Sequence, residues 1–167
     1  MKQLLETDRL RLREFTIDDA DLMLEILNEP GFIRYVADRN VRTTREAAAY
    51  LAEKILPSYA NFGFGFYVVE LKENGTPVGM CGLVKRDTLE DPDVGFSIFE
   101  RFWGKGYASE AAAAVVAYAR EKLGLSRIVG ITAPDNLRSA AVLEKLGLRF
   151  EKMIQLPGYG EQTRLFA

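Results

Sequence analysis

The chain has 167 residues, and its 22 lysines and arginines nearly balance its 24 aspartates and glutamates, which gives a net charge of −2. This length and an apolar fraction of 48% are typical of one soluble globular domain, residues 1–167, and the charge balance argues against a broad nucleic-acid surface. The sequence contains no histidine, which excludes Ser-His-Asp triads, Cys-His pairs and HExxH zinc sites.

Cysteine usage and hydropathy indicate the compartment. The single cysteine, Cys81, excludes an internal disulfide and suits a reducing cytoplasm. No apolar stretch reaches the length of a membrane span, and the opening residues become charged too early for a signal peptide. We therefore expect a cytoplasmic protein that has no metal site and binds neither membranes nor nucleic acid.

The first predicted elements are a strand and a helix. Apolar and charged residues alternate over residues 9–15, which predicts a strand with one face toward water. Thr16 or Asp18 can cap the helix that follows, and Pro30-Gly31 is expected to stop it.

A second helix and a hairpin follow. The Thr43-x-x-Glu46 pattern is typical of a capping box at a helix start, and Pro57 is expected to end or bend that helix. Residues 64–72 and 76–84 predict two strands joined by a turn at Asn74-Gly75.

The second half alternates strands and helices. The predicted elements are a strand at 93–99, a long helix ending near Gly124, a strand at 126–132, a short helix closed by Gly147, and closing strands at 149–156 and 162–167. The order predicts an α/β fold with a mixed, mostly antiparallel sheet of six to seven strands and helices on both faces.

The stretch "RFWGKGYASEA" places two glycines where the long helix begins. The first amides of a helix have no partner inside it, and the helix dipole makes that end positive, so a helix start can bind an anion. Gly104 and Gly106 let the backbone approach a ligand closely, and Lys105 and Arg101 add positive charge.

Two common phosphate motifs do not fit this stretch. A Walker A loop would need glycine at Phe99 and serine or threonine at Gly106, and a dinucleotide loop would need glycine at Ser109. A turn followed by a good helix start, without a ligand, is the alternative.

Three further stretches extend the pattern. The residues Arg101, Gly104, Gly106 and Ala108 form "RxxGxGxA" between a strand and a helix, and "LETDRLRLREF", "FWGKGYASEA" and "NLRSAAVLEKLGLRFE" lie in order along the chain. Together they resemble the GNAT acetyltransferase superfamily, in the branch of the ribosomal-protein N-terminal acetyltransferases. The resemblance covers nearly the whole chain.

The resemblance implies an acetyl-CoA site in a splay between the predicted fourth and fifth strands. The pantetheine arm would pair with the fourth strand, the pyrophosphate would lie on the glycine loop, and Asn136 would hydrogen-bond the arm. The implied cofactor-binding residues are Phe96, Ser97, Ile98, Phe99, Arg101, Trp103, Gly104, Lys105, Gly106, Tyr107, Ala108, Ser109, Asn136, Arg138 and Ser139. Helix capping is an alternative role for Asn136 and Ser139, and packing is one for Trp103 and Tyr107.

The resemblance also implies direct acetyl transfer to an amine. Many family members have a tyrosine seven residues after the asparagine, where this chain has Leu143. Ser139 is then the candidate to hydrogen-bond the leaving thiolate. Asp93 is the first candidate for the general base, followed by Glu90 and Asp87, and water alone is an alternative.

Two other residues have simpler expected roles. Glu110, in the first helical turn, is expected to have a structural role. Cys81 is expected in the core, with an acyl-cysteine route as its alternative.

The expected acceptor is a protein N-terminus or a small amine. Its site should form from the first helices, the hairpin and the "LPGYGE" loop, and the substrate-binding candidates are Arg34, Tyr35, Phe64, Tyr67 and Tyr159. A homodimer is compatible with the resemblance. Leu143 and the lack of an obvious base leave open a non-catalytic acetyl-CoA sensor, and an interaction module that uses the fold only as a scaffold is a third hypothesis.

Overall fold

The computed structural model describes residues 3–159 and 162–167 and contains two antiparallel sheets. The first sheet has the strand order β1-β2-β3-β4-β5, and the second has the order β6-β8-β7. The strands are β1 Gln3–Glu6, β2 Leu10–Glu14, β3 Phe66–Leu71, β4 Pro77–Val84, β5 Asp93–Ile98, β6 Gly130–Thr132, β7 Phe150–Ile154 and β8 Thr163–Phe166.

The described residues form six α-helices beside these sheets. They are α1 Ala20–Leu27, α2 Pro30–Tyr35, α3 Thr44–Tyr50, α4 Pro57–Phe62, α5 Tyr107–Lys122 and α6 Leu137–Lys145. Short 3₁₀ turns lie at Ile17–Asp19 and Glu100–Phe102, and a π-helical turn at Leu51–Ile55 joins α3 to α4. No helix in the described ranges is long and apolar enough to cross a membrane.

The two sheets touch at one point and then diverge. The Val94 N–H donates to the Val129 carbonyl at 2.8 Å, and the Val129 N–H donates to the Pro92 carbonyl at 3.0 Å. Asp93 and Val129 form an isolated parallel bridge, and past it β5 and β6 lie in separate sheets. This gap is the splay expected between the predicted fourth and fifth strands, so the predicted fold is confirmed.

Several boundaries differ from the predicted ones. The strand β1 was not predicted, and the expected single sheet is divided in two. The first helix ends at Leu27, before Pro30-Gly31 as predicted, and the π-helical turn after α3 ends at Ile55, before Pro57. The prolines also begin two short helices, α2 and α4, which were not predicted. Both prolines occupy a first-turn position, where the missing N–H would have had no helical partner.

Packing divides the core between two clusters. One includes Val94 and Ala112 of β5 and α5, and the other joins α1 and α3 to Met80 of β4. Cys81 is fully buried, and burial raises the pKa of its thiol, so its predicted place in the core is confirmed. The predicted water-facing side of residues 9–15 is found at Arg9, which is exposed, but not at Arg13, which is buried and pairs with Asp19 at 2.9 Å.

Candidate active site

The glycine loop leads from β5 to the start of α5. Gly104 and Gly106 have φ angles of +78° and +81°, in the left-handed region that favours glycine. Gly106 is the N-cap of α5, and no side chain caps this helix end. The first backbone N–H groups of α5 therefore have no partner inside the helix and are available to an anionic ligand.

A cavity of about 520 Å³ lies beside this loop. Its walls come from α2, β5, the loop itself and the start of α6. The predicted cofactor-binding residues that line it are Phe96, Ser97, Ile98, Trp103, Gly104, Gly106, Tyr107, Ala108, Ser109, Asn136, Arg138 and Ser139. We call this space the donor cavity.

Three predicted cofactor-binding residues lie outside the donor-cavity lining. Phe99 is buried in the core cluster beneath α1 and α3. Arg101 turns toward α1, where its Nη1 donates to Glu25 at 2.8 Å. Lys105 is exposed, and its carbonyl accepts a hydrogen bond from Arg9 at 2.8 Å. These three residues are close in sequence to residues that line the donor cavity, and the sequence did not show that they lie outside the lining.

Trp103 joins the loop to both sides of the donor cavity. Its indole Nε1 donates to the Ile98 carbonyl at 2.8 Å. The Arg138 guanidinium lies 4.6 Å from the centre of its ring and approaches from α6. Such a cation–π contact contributes about 0.5–1 kcal/mol at an exposed site. The tryptophan therefore links β5 and α6 across the mouth of the gap.

The edge of β5 supplies backbone groups to the gap. The Val94 N–H points at β6, and strand groups alternate with a period of two, so the Phe96 N–H and carbonyl lie on the same edge. The Ile98 carbonyl, farther along this edge, is occupied by Trp103. Phe96 is thus placed to pair with a ligand lying in the gap.

Asn136 and Ser139 lie at the start of α6. The Asn136 Oδ1 accepts a hydrogen bond from the Ser139 N–H at 3.2 Å, so the asparagine caps the helix. This cap uses only the oxygen of the amide and leaves Nδ2 as a donor. Within residues 3–159 and 162–167 the Ser139 hydroxyl has no hydrogen-bond partner.

A second cavity, of about 100 Å³, adjoins the first, and Ser97, Asn136 and Ser139 line both. We call it the acceptor cavity. Its further lining residues include Phe66, Met80, Arg86, Asp93, Thr132, Tyr159 and Thr163, which come from seven separate strands and loops. The two cavities meet where β5 and β6 diverge.

Asp93 is the carboxylate of the acceptor cavity. It is 2% exposed, and its Oδ1 accepts a hydrogen bond from Arg86 Nε at 3.0 Å. Burial raises the pKa of Asp93, although Arg86 acts in the opposite direction. A carboxylate with a raised pKa is a stronger base than an ordinary aspartate and suits proton transfer. The alternatives Glu90 and Asp87 are exposed and line neither cavity.

Two of the predicted acceptor residues line the acceptor cavity. They are Tyr35, which also lines the donor cavity, and Tyr159. Arg34 is exposed and pairs with Asp135 at 3.5 Å. Phe64 and Tyr67 are buried in the core cluster that contains α5, and burial raises the pKa of Tyr67 to about 12. Gly160 and Glu161 of the predicted acceptor loop lie outside the described residues.

Arg86 and Thr132 are site residues that sequence reasoning missed. Arg86 lies 5.7 Å from the centre of the Tyr159 ring and fixes the position of Asp93. The Thr132 Oγ1 is buried without a hydrogen-bond partner in the described part of the chain. No sequence pattern could reveal either, because each acquires its role only from residues distant in the chain.

Leu143 is a core residue. It is fully buried, and a side chain at Gly130 would lie 2.5 Å from its Cδ2, so leucine and glycine fit each other. The position that carries a tyrosine in many family members therefore packs α6 onto β6 in this chain. Ser139, one turn earlier, borders both cavities and lies on the same helix as Leu143.

The gap where the two sheets diverge, beside the uncapped start of α5, agrees with the splay that the sequence resemblance implied. The acetyltransferase (GNAT) domain family matches residues 9–149, and the chain belongs to this family. The enzyme is thus an acetyl-CoA-dependent N-acetyltransferase, as the sequence resemblance implied.

Individual proteins agree with the family match. The uncharacterized protein YkkB of Bacillus subtilis is 30% identical over 92% of this chain and 90% of its own length. An acetyltransferase structure from Agrobacterium tumefaciens has a TM-score of 0.81 and 26% identity, and covers 99% of this chain and 93% of its own. The ribosomal L7/L12 acetyltransferase RimL with coenzyme A has a TM-score of 0.84 over 99% and 96% of the two chains and, at 16% identity, shows the fold alone.

Proposed function

We propose that this enzyme binds acetyl-CoA in the donor cavity and a primary amine in the acceptor cavity, and that the acetyl group passes between them where the cavities meet. The observation that carries this proposal is the shared border of Ser97, Asn136 and Ser139. Holding two reactants in contact removes much of the entropic barrier to a bimolecular reaction.

The donor cavity has the features that a pyrophosphate requires. The uncapped start of α5 offers N–H groups and the positive end of a helix dipole. A Cβ atom at Gly104 would meet no other atom within 4 Å, so the backbone there is open to a ligand. Arg138 adds a positive charge to the lining. We therefore assign the phosphates to residues 104–109.

The pantetheine arm would lie along β5. The Phe96 N–H and carbonyl can pair with its amides, and Asn136 Nδ2 can donate to it from the opposite wall. Acetyl-CoA, when bound, supplies a thioester whose carbon–sulfur bond breaks as the amine nitrogen bonds to the carbonyl carbon. Backbone N–H groups at the β5 edge can stabilise the negative charge that develops on the carbonyl oxygen.

Asp93 and Ser139 are the candidate catalytic residues. Asp93 would accept the proton that the amine loses, and its burial favours this role by raising its pKa. The Ser139 hydroxyl would donate a hydrogen bond to the departing thiolate, and solvent would supply the proton. Serine is too weak an acid to do more at neutral pH. Tyr35 and Tyr159 would contact the acceptor.

The acceptor class follows from the size of the acceptor cavity. This cavity measures about 100 Å³, against about 520 Å³ for the donor cavity, which favours a compact group at the reacting end of the acceptor. It can admit the end of a chain, such as a peptide N-terminus, or a small amine. A homodimer and a cytoplasmic location remain predictions from the sequence.

An acceptor panel tests this proposal. The purified protein is incubated with acetyl-CoA and N-terminal peptides, amino acids, polyamines or aminoglycosides, and thiol release and product mass are recorded. We expect acetylation of at least one compact primary amine at a rate above the hydrolysis blank. Binding of acetyl-CoA without transfer to any compound in the panel would contradict it and favour a non-catalytic sensor.

A further inference from the structure

The turn between β1 and β2 contacts the start of α5, about 100 residues later in the chain. Thr7 closes this turn, because its N–H donates to the Leu10 carbonyl at 2.9 Å and its Oγ1 accepts from the Leu10 N–H at 3.0 Å. Lys72 Nζ donates to the Thr7 carbonyl at 3.0 Å and ties the turn to the hairpin. The turn is therefore a fixed part of the first sheet.

The Arg9 side chain reaches from this turn to the glycine loop. Its Nη1 donates to the Lys105 carbonyl at 2.8 Å, and its guanidinium lies 4.6 Å from the centre of the Tyr107 ring. The position of a Cβ at Gly106 lies 3.4 Å from its Nη2. The Arg9 side chain thus contacts Lys105 and Tyr107 and leaves little room beside Gly106, in the loop that leads into the free amides of α5.

Glu110 connects the same turn to the first turn of α5. Its Oε1 accepts from Arg9 Nε at 2.8 Å, and its Oε2 accepts from the Arg9 N–H at 3.1 Å and from the Thr7 hydroxyl. Burial raises the pKa of Glu110, but the bonds from Thr7 and Arg9 outweigh this and lower it. The carboxylate is therefore charged at neutral pH, and the bonds to it are charge-assisted.

The geometry of these bonds suits arginine alone. The planar guanidinium donates in two directions at once, from Nε to a carboxylate and from Nη1 to a carbonyl, while its face covers a ring. A lysine has one ammonium group and cannot make both hydrogen bonds while it presents a flat face to the ring. Arg9 thus fixes the direction in which the Lys105 peptide points.

We propose that Arg9 is a positioning residue for acetyl-CoA: it holds the glycine loop from the β1–β2 turn so that the loop amides point into the donor cavity before the ligand binds. Glu110 and Thr7 hold Arg9 in place. This inference rests on the proposed function, and it adds that the N-terminal turn sets the affinity for the phosphate end of the ligand and not for the thioester end.

The test compares two ligands and three variants. Acetyl-CoA has the pyrophosphate, and S-acetylpantetheine lacks it. Dissociation constants for both are measured with the wild type, Arg9→Ala and Arg9→Lys. The control is Arg127→Ala, which removes an arginine of similar exposure that also pairs with two elements, through Asp91 and Glu151, far from the loop.

We expect Arg9→Ala to raise the dissociation constant for acetyl-CoA about tenfold and to leave that for S-acetylpantetheine within twofold. Arg9→Lys should behave like Arg9→Ala, and Arg127→Ala like the wild type. Recovery of affinity in Arg9→Lys would overturn the proposal, because a charge acting directly on phosphate would then suffice. Equal weakening of both ligands would also overturn it, since a general loss of structure would explain that result.

Two further comparisons separate a folding defect and a failure of the proposed function from a failure of this inference. If Arg9→Ala does not fold, Arg9→Lys and Glu110→Gln are compared with the wild type instead. Thermal unfolding of both variants is measured in parallel. An unchanged acetyl-CoA affinity in both variants would refute the role of the turn. A wild type that binds neither ligand would refute the proposed function itself and not this inference alone.

Discussion

The donor and acceptor cavities are built in different ways. The donor cavity takes part of its lining from the glycine loop, at Trp103, Gly104 and residues 106–109, where we propose that backbone amides bind the phosphates. The acceptor cavity is assembled from side chains of β3, β4, β5, β6, β8 and the loops near them. A site made of backbone leaves a short sequence pattern, because glycine is needed where the chain bends, whereas a site made of converging side chains leaves none.

The difference also separates the expected effects of mutation. Changes in the donor cavity should act on the affinity for acetyl-CoA, and changes in the acceptor cavity should act on turnover. Substitutions that move both quantities together would show that the two cavities do not work as separate binding sites.

The largest effect is expected from Asp93→Asn. Removing the proposed base should lower kcat about 100-fold to 10,000-fold and leave the dissociation constant for acetyl-CoA unchanged, because Asp93 lines only the acceptor cavity. Asp91→Asn is the matched control, since Asp91 is a neighbouring carboxylate that pairs with Arg127 at 2.9 Å. A kcat within threefold of the wild type would assign the proton transfer to water.

The pH profile sharpens the same prediction. Asp93 must be ionised to accept a proton, so the rate should rise with pH through the pKa of Asp93, which burial places above that of an ordinary aspartate. The acidic limb of kcat/KM should be absent from Asp93→Asn. An identical limb in both proteins would assign this titration to the amine or to another group.

The next effect is expected from Gly106→Val. A β-branched residue at a φ of +81° is strained by about 1–3 kcal/mol, and relief of that strain should turn the loop amides away from the donor cavity. The dissociation constant for acetyl-CoA should rise about tenfold or more. Gly124→Val, at a φ of +68° after the other end of α5, carries similar strain and should not change the affinity. Equal affinity in both variants would refute the phosphate site.

A smaller effect is expected from Ser139→Ala. The Asn136 cap uses the Ser139 backbone N–H, so the helix start should persist without the hydroxyl. Losing one hydrogen bond to the thiolate, worth about 1 kcal/mol, should lower kcat about fivefold in single-turnover measurements. A loss of acetyl-CoA affinity with an unchanged kcat would place the hydroxyl beside another part of the ligand.

The smallest effect is expected from Tyr67→Phe. Tyr67 was predicted to contact the acceptor, but it is 2% exposed and stacks on Tyr59 with 5.7 Å between ring centres. Its replacement should change the acceptor KM and kcat less than twofold, and Tyr35→Ala, in the cavity lining, is the comparison. A tenfold rise in KM for Tyr67→Phe would return this residue to the acceptor site.

Much of the fold could be predicted from the sequence. Some features depend only on neighbours within a few residues, so they appeared in the sequence as patterns. They are the alternating strands, the turn at Asn74-Gly75 and the capping pattern at Thr43. The short helices that begin at Pro30 and Pro57 were not predicted, because a proline that follows one helix and a proline that begins the next are locally alike. Phe64 and Tyr67 were assigned to the acceptor since aromatic residues suit both cores and ligand sites.

The sequence by itself determined the class of the enzyme and the location of the glycine loop, since the glycines, the helix start and the family stretches are all local. Only the tertiary structure decided which carboxylate is buried, that Arg86 faces Asp93, and that Arg9 and Glu110 join the N-terminal turn to the loop. The physical reason is that burial and ion pairing are properties of residues brought together from distant parts of the chain. They arise only once the sheets have formed and diverged at Asp93 and Val129.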